Sequence, residues 1–228
     1  MKRPVFLVYF ETFSSKNAAM SREWHIKKMS KQQKERLIME NKIMKIVLAS
    51  ASPRRKELLL QVGVDFEVCP ADIDEACDLD NPAEYVEYLS NKKARFVHEL
   101  NKDEVVVAAD TVVAYDNHIL GKPEDENAAF EMLKLLSGQL HEVYTGVTII
   151  DKDDNINTFS VCTKVKMFEN SDETIKAYID TKECMDKAGA YGIQGKGAIL
   201  VEKIDGDYNN VVGLPVSKVY SELRKLTW

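Results

Sequence analysis

The sequence lacks long hydrophobic runs and contains few cysteines. Its longest apolar runs, Val5–Phe10 and Val105–Ala109, are far shorter than the roughly 18 residues that a membrane-spanning helix needs, so membrane insertion is excluded. Four cysteines in 228 residues, none of them in a C-x-x-C pair, do not make a disulfide framework. We therefore expect reduced thiols and a cytoplasmic location. The cysteines are Cys69, Cys77, Cys162 and Cys184.

Three common ligand-binding patterns are also missing. The segment nearest to a P-loop, Ala190–Gly197, contains Gly195 and Lys196 but lacks the first glycine and the serine or threonine after the lysine, so a Walker-type ATPase is disfavoured. No G-x-G-x-x-G pattern opens a predicted helix. The four histidines do not have the spacing of metal ligands. A ligand site in this chain must therefore be built from other side chains.

Positive charge is scarce in most of the chain. Lysine and arginine total 31 against 37 aspartates and glutamates, a formal net charge of −6. Residues 1–43 hold ten of the basic and four of the acidic residues (+6), which leaves 21 and 33 (−12) for residues 44–228. We predict an N-terminal extension at 1–43, either an appendage or an over-extended start, and a folded domain at 44–228. The acidic domain argues against a nucleic-acid partner and fits a small anionic ligand held by a few local cations.

Strands and helices alternate through the first part of the domain, and a hairpin follows them. This order predicts an α/β fold with a mixed, twisted sheet flanked by helices. The predicted strands are Lys45–Ser50, Val64–Val68, Glu104–Tyr115, Val143–Ile150, Ile156–Phe168 and Ala198–Lys203. The predicted helices run from Ser52 to Gly63, Asn81 to Leu100, Glu124 to Leu136, Ser171 to Thr181 and Leu214 to Leu226.

The turn between the first strand and the first helix has the composition of an anion site. Ser52 and Pro53 fit the N-cap and the first position of a helix, whose free N–H groups and dipole attract anions. Ser50 adds a hydroxyl group. Arg54 and Arg55 in the first turn oppose the helix dipole unless an anion compensates them, which indicates phosphate. Two solvated arginines beside an ordinary serine cap explain the same residues equally well.

Asp110 follows a run of valines and alanines that predicts a buried strand. The carboxyl ends of strands in α/β sheets commonly face ligands. A carboxylate there can hold a divalent metal or accept a proton from water, and the sequence leaves both roles open. An ordinary turn residue at the end of a strand is the alternative.

Three further polar side chains fit a nucleotide site. Lys93 lies in an apolar stripe of the long helix, but Lys92 lies in another, and a lysine that extends to solvent explains either one. Lys122 lies between a glycine and a proline on a stiff loop, where it can face a phosphate or solvent. Gln194 lies in a segment with four glycines in ten residues, and its amide is able to read a base edge.

Seven short motifs occur in order along the domain: LASASPRRKELL (48–59), AADTVV (108–113), GKP (121–123), LSG (136–138), YTGV (144–147), DKAGAYGIQGKGA (186–198) and VVGLP (211–215). In this order they closely resemble the Maf family of nucleoside triphosphate pyrophosphatases. The resemblance starts at Met44 and runs to the C-terminus, so residues 1–43 have no counterpart in it.

The resemblance implies hydrolysis of a nucleoside triphosphate between its α and β phosphates with a divalent metal, Mg²⁺ or Mn²⁺, in a nucleotide-binding cleft between two lobes. Asp110 would be the proton acceptor for the attacking water or, with Glu67, a metal ligand. The family pattern places its lysine directly before alanine, which selects Lys93 over Lys92. The residues expected to contact the triphosphate are Ser50, Arg54, Arg55, Lys93 and Lys122.

Within the family, the Asp-Thr pair after the strand and the Tyr-Gly-Ile-Gln sequence of the glycine-rich segment resemble the branch that acts on dTTP and UTP. Arg54, Thr111 and Gln194 would then be the specificity positions. The Gln194 amide suits the edge of uracil or thymine, which presents both an acceptor and a donor. The expected function is metal-dependent hydrolysis of dTTP and UTP, and modified pyrimidine nucleotides are further candidate substrates.

A second class of function fits the family's association with septum formation and the basic extension. In this alternative, the chain is a non-catalytic regulator of cell division that binds a nucleotide or nucleic acid. Tight DNA binding with a steep salt dependence, lost on deletion of residues 1–43, would favour it. The sequence allows a homodimer in either case.

Overall fold

A computed structural model describes residues 11, 13–40, 45–116 and 118–226. The apolar stretch Val5–Phe10 and the predicted segment boundary at 43 and 44 lie outside the described residues. The chain divides into two compact units, Met1–Met44 and Lys45–Trp228. The described part of the first unit contains helices α1 (Lys16–Lys28) and α2 (Lys31–Glu40).

The second unit contains a seven-stranded mixed sheet flanked by helices, which confirms the predicted α/β class. The strands are β1 (Ile46–Leu48), β2 (Phe66–Val68), β3 (Val105–Tyr115), β4 (His118–Leu120), β5 (Leu140–Ile150), β6 (Ile156–Met167) and β7 (Val201–Asp205). The helices are α3 (Pro53–Gln61), α4 (Pro82–Leu100), α5 (Glu126–Leu136), α6 (Asp172–Ile179), α7 (Tyr208–Val212) and α8 (Val216–Leu226). Within the described ranges, no helix has both the length and the apolar character needed to cross a membrane.

The sheet has the order β2-β1-β3-β5-β6-β7, with β4 also paired to β3. Strands β2, β1 and β3 are parallel, whereas β5, β6 and β7 continue the sheet in antiparallel fashion. The parallel part corresponds to the alternating strands and helices of the sequence, because parallel neighbours need a crossover connection. The antiparallel part contains the predicted hairpin.

Local sequence explains where most helices begin. The Asn81 side chain accepts hydrogen bonds from two backbone N–H groups at the start of α4, and Pro82 takes the first helical position. The side chains of Asp125 and Ser171 each accept one backbone N–H at the start of α5 and α6.

The largest error in the predicted elements follows the glycine-rich segment. The strand expected from Ala198 begins only at Val201, because 195–200 forms a short 3₁₀ helix. The short helix α7 was not predicted. It is capped by Asp207 and ends at Gly213, whose φ of +124° favours glycine.

Two apolar clusters pack against opposite faces of the sheet. One joins α4 to one face of the sheet and includes Val97, Val106 and Ile150. The other packs α5, α6 and the glycine-rich segment against the opposite face, at the far end of β3, and includes Val113 and Leu133. Because β3 contributes to both clusters, its middle lies between them.

Candidate active site

The candidate site lies where β3 continues beyond its parallel neighbour. β1 pairs only with residues 105–107 of β3, and β4 pairs with it from Val113 onward. Among the described strands, residues 108–112 therefore have a partner on one edge only, which is β5. Asp110 and Thr111 lie in this gap and face opposite sides of the sheet, because side chains alternate along a strand. A cleft of about 600 Å³ opens here and both residues line it.

On the face covered by α4, Asp110 and a second carboxylate share one lysine. Lys93 Nζ lies 2.6 Å from Asp110 Oδ1 and 3.1 Å from Glu75 Oε1. Lys93 and Asp110 are each only 8 % exposed, so water screens their attraction weakly. Within the described residues only Oδ1 of Asp110 is bonded, which leaves Oδ2 available to another partner.

The two adjacent lysines of α4 have different surroundings. Lys93 follows Tyr85 and Leu89 on the stripe of α4 that lines the cleft. Lys92 donates a hydrogen bond to the backbone carbonyl of Asp74 at 2.7 Å and does not line the cleft. The structure therefore brings Lys93, and not Lys92, to Asp110.

The N-terminus of α3 lines the same cleft. Ser52 is the N-cap residue and Pro53 the first helical residue, but the Ser52 side chain makes no capping hydrogen bond. The predicted position of the serine N-cap is confirmed. The Ser52 N–H donates to Ser50 Oγ at 3.3 Å instead. Because no side chain caps α3, its first N–H groups are left for an anion.

Arg55 is held by three oxygen acceptors. Its Nε donates to the Gly213 carbonyl at 2.8 Å, Nη1 to Ser50 Oγ at 3.1 Å and Nη2 to Thr111 Oγ1 at 3.1 Å. Burial lowers the pKa of the Arg55 guanidinium, while the charge of Asp110 acts in the opposite direction. The group still carries its charge near neutrality, since an arginine is effectively always protonated in proteins. One N–H on each terminal nitrogen remains for a ligand.

Arg54, Lys122 and Gln194 also line the cleft. Arg54 Nη1 lies 3.0 Å from Asp186 Oδ2, an ion pair that ties α3 to the glycine-rich segment 186–197. Lys122 and Gln194 are exposed, so both are accessible to a ligand. The structure thus brings together Asp110, Thr111 and all the predicted triphosphate and specificity residues.

Glu67 is the predicted site residue that the structure places elsewhere. It lies in β2, and its exposed carboxylate pairs with Lys45 Nζ at 2.7 Å. β1 separates β2 from β3, and Glu67 is level with Val106 rather than with Asp110. The two carboxylates are therefore separated by two strand spacings, about 10 Å, and in addition by four residues along the strand. The structure therefore does not bring Glu67 into the cleft that Asp110 lines.

Glu75 is the carboxylate that reaches the site, and sequence reasoning missed it. It lies in an irregular segment between β2 and α4 that contains several acidic residues of similar appearance. No periodic pattern distinguishes one carboxylate from the next there. Only the path of the segment over α4 shows which of them contacts Lys93.

The donor set fits a divalent cation that binds together with a phosphate ligand. No group of three or more His, Cys, Asp or Glu side chains suited to a metal occurs in the part of the chain that the structure describes. Asp110 and Glu75 nevertheless converge on Lys93. Mg²⁺ is commonly bound by one or two carboxylates together with substrate phosphates, and Mn²⁺ also prefers oxygen ligands.

The Maf-like protein family matches residues 45–226 of this chain. The chain belongs to the Maf family. A protein of Bacillus cereus (strain AH820) named dTTP/UTP pyrophosphatase is 52 % identical over 182 residues, which cover 79 % of this chain and 95 % of that protein. One of the same name from Clostridium novyi (strain NT) is 51 % identical over 181 residues, 78 % and 95 % of the two chains. Among solved structures, a HAM1 protein from Coxiella burnetii is 14 % identical with a TM-score of 0.46, covering 80 % of this chain and 100 % of that one.

The Maf match confirms the resemblance drawn from the seven motifs. It spans every residue that lines the cleft, from Ala49 to Gly213. The N-terminal unit lies outside it, and the match begins at the first residue after that unit.

Proposed function

We propose that this Maf-family chain hydrolyses dTTP and UTP to the nucleoside monophosphate and pyrophosphate with the aid of Mg²⁺ or Mn²⁺, and that modified pyrimidine triphosphates are further substrates. The observation that carries the proposal is the setting of Asp110. This carboxylate lies in a cleft that Arg55, Lys93 and Lys122 also line. The cleft volume of about 600 Å³ is within the usual range for small-molecule sites.

The reaction adds water across the bond between the α and β phosphates. The water oxygen bonds to the α phosphorus, the bond from that phosphorus to the bridging oxygen breaks, and pyrophosphate leaves with the bonding electrons. Asp110 accepts the water proton through Oδ2, the oxygen that Lys93 does not contact. Arg55 and the N–H groups of α3 stabilise the negative charge that develops on the leaving group.

Asp110 and Glu75 are the residues that would hold the divalent cation. When bound, the cation supplies further charge neutralisation and helps to orient the triphosphate. The Lys93 ammonium keeps the two carboxylates close to each other without it.

The preference for thymine and uracil is supported by the names of the two relatives and by Gln194. Its exposed amide offers one acceptor and two donors within a glycine-rich segment, where a ligand can approach the backbone closely. The edge of uracil or thymine requires both a donor and an acceptor from the protein. We therefore assign base reading to Gln194, with Arg54 close to the same segment through Asp186.

Pyrophosphate release from dTTP, UTP, CTP, GTP, 7-methyl-GTP and ATP with Mn²⁺ present tests the proposal. We expect release from dTTP and UTP only. Asp110→Asn should lower turnover by about 10²- to 10⁴-fold, the usual contribution of a general base, while the variant still binds nucleotide. Release from none of the six by folded protein would contradict the proposal and favour the non-catalytic regulator.

We also propose a cytoplasmic location, because the four cysteines are free thiols and a reducing compartment keeps them so. The homodimer and the absence of a nucleic-acid partner stay predictions. Light scattering tests the homodimer. DNA binding measured at several salt concentrations tests the absence of a nucleic-acid partner.

A further inference from the structure

A chain of hydrogen bonds leads from Arg55 into the interior of the domain. Thr111 Oγ1, which accepts from Arg55 Nη2 at 3.1 Å, lies 2.9 Å from Thr145 Oγ1. Thr145 Oγ1 in turn lies 3.0 Å from the backbone carbonyl of Asn210. Thr145 and Asn210 are both 0 % exposed, and neither lines the cleft.

The number of available protons determines which group donates in each of these hydrogen bonds. A guanidinium only donates, so Thr111 accepts from Arg55, and a carbonyl only accepts, so Thr145 donates its single hydroxyl proton to Asn210. Thr145 then has no proton left for Thr111. Thr111 Oγ1 also lies 3.5 Å from the Gly213 carbonyl oxygen, at the limit for a hydrogen bond, whereas Thr145 Oγ1 is 2.9 Å away. Thr111 therefore donates its own proton to Thr145, away from the cleft.

The inner end of the chain is anchored firmly. The Asn210 side-chain Nδ2 donates to the Val143 carbonyl and to Thr163 Oγ1, both at 3.0 Å. The Asn210 carbonyl also accepts the N–H of Gly213 at 3.0 Å, so both of its lone pairs are used. Residue Asn210, whose carbonyl is the last acceptor of the hydrogen-bond series, is thus fixed to β5 and β6, and that carbonyl cannot accept another hydrogen bond.

Ser50, the other hydroxyl that contacts Arg55, is different. Its oxygen accepts from Arg55 Nη1 and from the Ser52 N–H. None of the described residues takes its proton, so Ser50 can donate to a phosphate oxygen. Thr111 has no such proton to offer to a base or a phosphate.

We infer that Thr111 and Thr145 are positioning residues, which hold the Arg55 guanidinium toward the triphosphate, and that Thr111 does not donate a hydrogen bond to the base. The inference rests on the proposed function, in which Arg55 binds the triphosphate. It changes the role expected for Thr111. Thr111 then acts on triphosphate binding through Arg55, while base reading is left to Gln194.

The test measures binding of inorganic tripolyphosphate, an anion without a base, by isothermal titration calorimetry. Thr145→Val removes the hydroxyl at nearly constant volume, and Thr145→Ser retains it. Thr148→Val is the matched control, because Thr148 is also 0 % exposed and hydrogen-bonded on β5 but contacts Ser90 and Thr158 rather than this chain.

We expect Thr145→Val to weaken tripolyphosphate binding about tenfold, the scale of one lost hydrogen bond, whereas Thr145→Ser and Thr148→Val bind as the unmodified protein does. The same loss should appear as a higher KM for every nucleotide. The ratio of kcat/KM for dTTP to that for CTP should not change, because the base contact is intact. A merely structural role would affect Thr148→Val equally and would not give this pattern.

Unchanged tripolyphosphate binding by folded Thr145→Val would overturn the inference. So would a Thr111→Val variant that alters the dTTP to CTP ratio while it binds tripolyphosphate normally, because Thr111 would then contact the base. If Thr145→Val does not fold, Thr111→Val and Thr111→Ser test the chain from its outer end. Weakened tripolyphosphate binding with serine rescue, in a protein that hydrolyses no nucleotide, would support this inference and contradict only the proposed function.

Discussion

On the α4 face of β3, Asp110 contacts Lys93, whose ammonium also contacts Glu75. On the opposite face, its neighbour Thr111 contacts Arg55 and Thr145. The first group has two carboxylates and one ammonium, hence a net charge of −1, whereas the second has a single guanidinium and hence +1. The acceptors around Arg55 are hydroxyls and a carbonyl, which orient the guanidinium without neutralising it.

Two neighbouring residues of one strand thus lie in surroundings of opposite charge. The net negative face suits a divalent cation and a proton acceptor, and the net positive face suits phosphate oxygens. The alternation of side chains along β3 keeps the two groups on different sides of the sheet. Lys93 is thus paired with two carboxylates, whereas Arg55 has no carboxylate among its hydrogen-bond partners within the described residues.

The contrast between the two lysines of α4 allows the strongest test of the negative face. Lys93→Gln removes the cation that orients Asp110 and should lower kcat/KM for dTTP by about 10- to 100-fold, the value of a charge-assisted hydrogen bond. Lys92→Gln is the matched control, because within the described ranges the Lys92 ammonium has two polar or ring partners, the Asp74 carbonyl and the Tyr88 ring, and neither is in the cleft. Equal effects of the two changes would show that Lys93 has no special role.

The close approach of α4 to the sheet gives a second test. Gly146 pairs with Asp110 across β3 and β5, and an added Cβ would lie 2.3 Å from the Val86 carbonyl oxygen. Because that atom is backbone, α4 would have to move and take Lys93 away from Asp110. We expect Gly146→Ala to lower the free energy of unfolding, measured by urea denaturation, by about 1–3 kcal/mol. Hydrolysis of dTTP should fall as well.

Gly121→Ala is the control for this change. Nothing lies within 4 Å of a Cβ at Gly121, and its φ is not in the left-handed region, so the free energy of unfolding should change by less than about 0.5 kcal/mol. A Gly146→Ala variant as stable as this control would contradict the tight packing of α4 on β5.

The face of the sheet that carries Thr145 also holds a buried histidine, which makes the stability of the fold depend on pH. His141 is 2 % exposed, its Nε2 lies 2.7 Å from Tyr191 Oη, and burial lowers the pKa of its imidazole to about 4. The unfolded chain, with a histidine pKa of about 6.5, binds more protons between these two values, so stability falls as the pH falls. We expect a loss of about 1 kcal/mol in the free energy of unfolding between pH 7 and pH 5.5.

Urea unfolding at the two pH values measures this loss. His141→Gln should remove it, and His118→Gln, at an exposed position, should retain it. An identical pH dependence in all three proteins would mean that His141 does not titrate between folded and unfolded states.

Local sequence patterns were enough to predict a large part of the fold and many of the residues that line the cleft. Asn81 and Pro82 start α4, and the apolar run that ends at Asp110 forms the buried strand β3, because caps and buried strands depend on neighbouring residues. The motifs of the Maf family supplied the expected roles of Ser50, Arg55, Lys93 and Lys122, and all four line the cleft. The choice between Lys92 and Lys93 came from that resemblance, since helical periodicity left it open.

The features that were missed depend on contacts between distant segments. Glu75 reaches Lys93 from an irregular segment, and Glu67, which has the same chemistry, lies two strands away from Asp110. The chain through Thr145 to Asn210 requires the register of β3 with β5 and the packing of α7 near both.

The alternation of strands and helices, the family, and the residue types that a triphosphate site needs can be predicted from the amino-acid sequence, because these depend on composition and on spacing along the chain. Which carboxylate joins Asp110 and what Thr111 contacts depend on the folded arrangement. Those outcomes depend on strand order and register, and side chains far apart in sequence are brought within hydrogen-bond distance only when the sheet has formed.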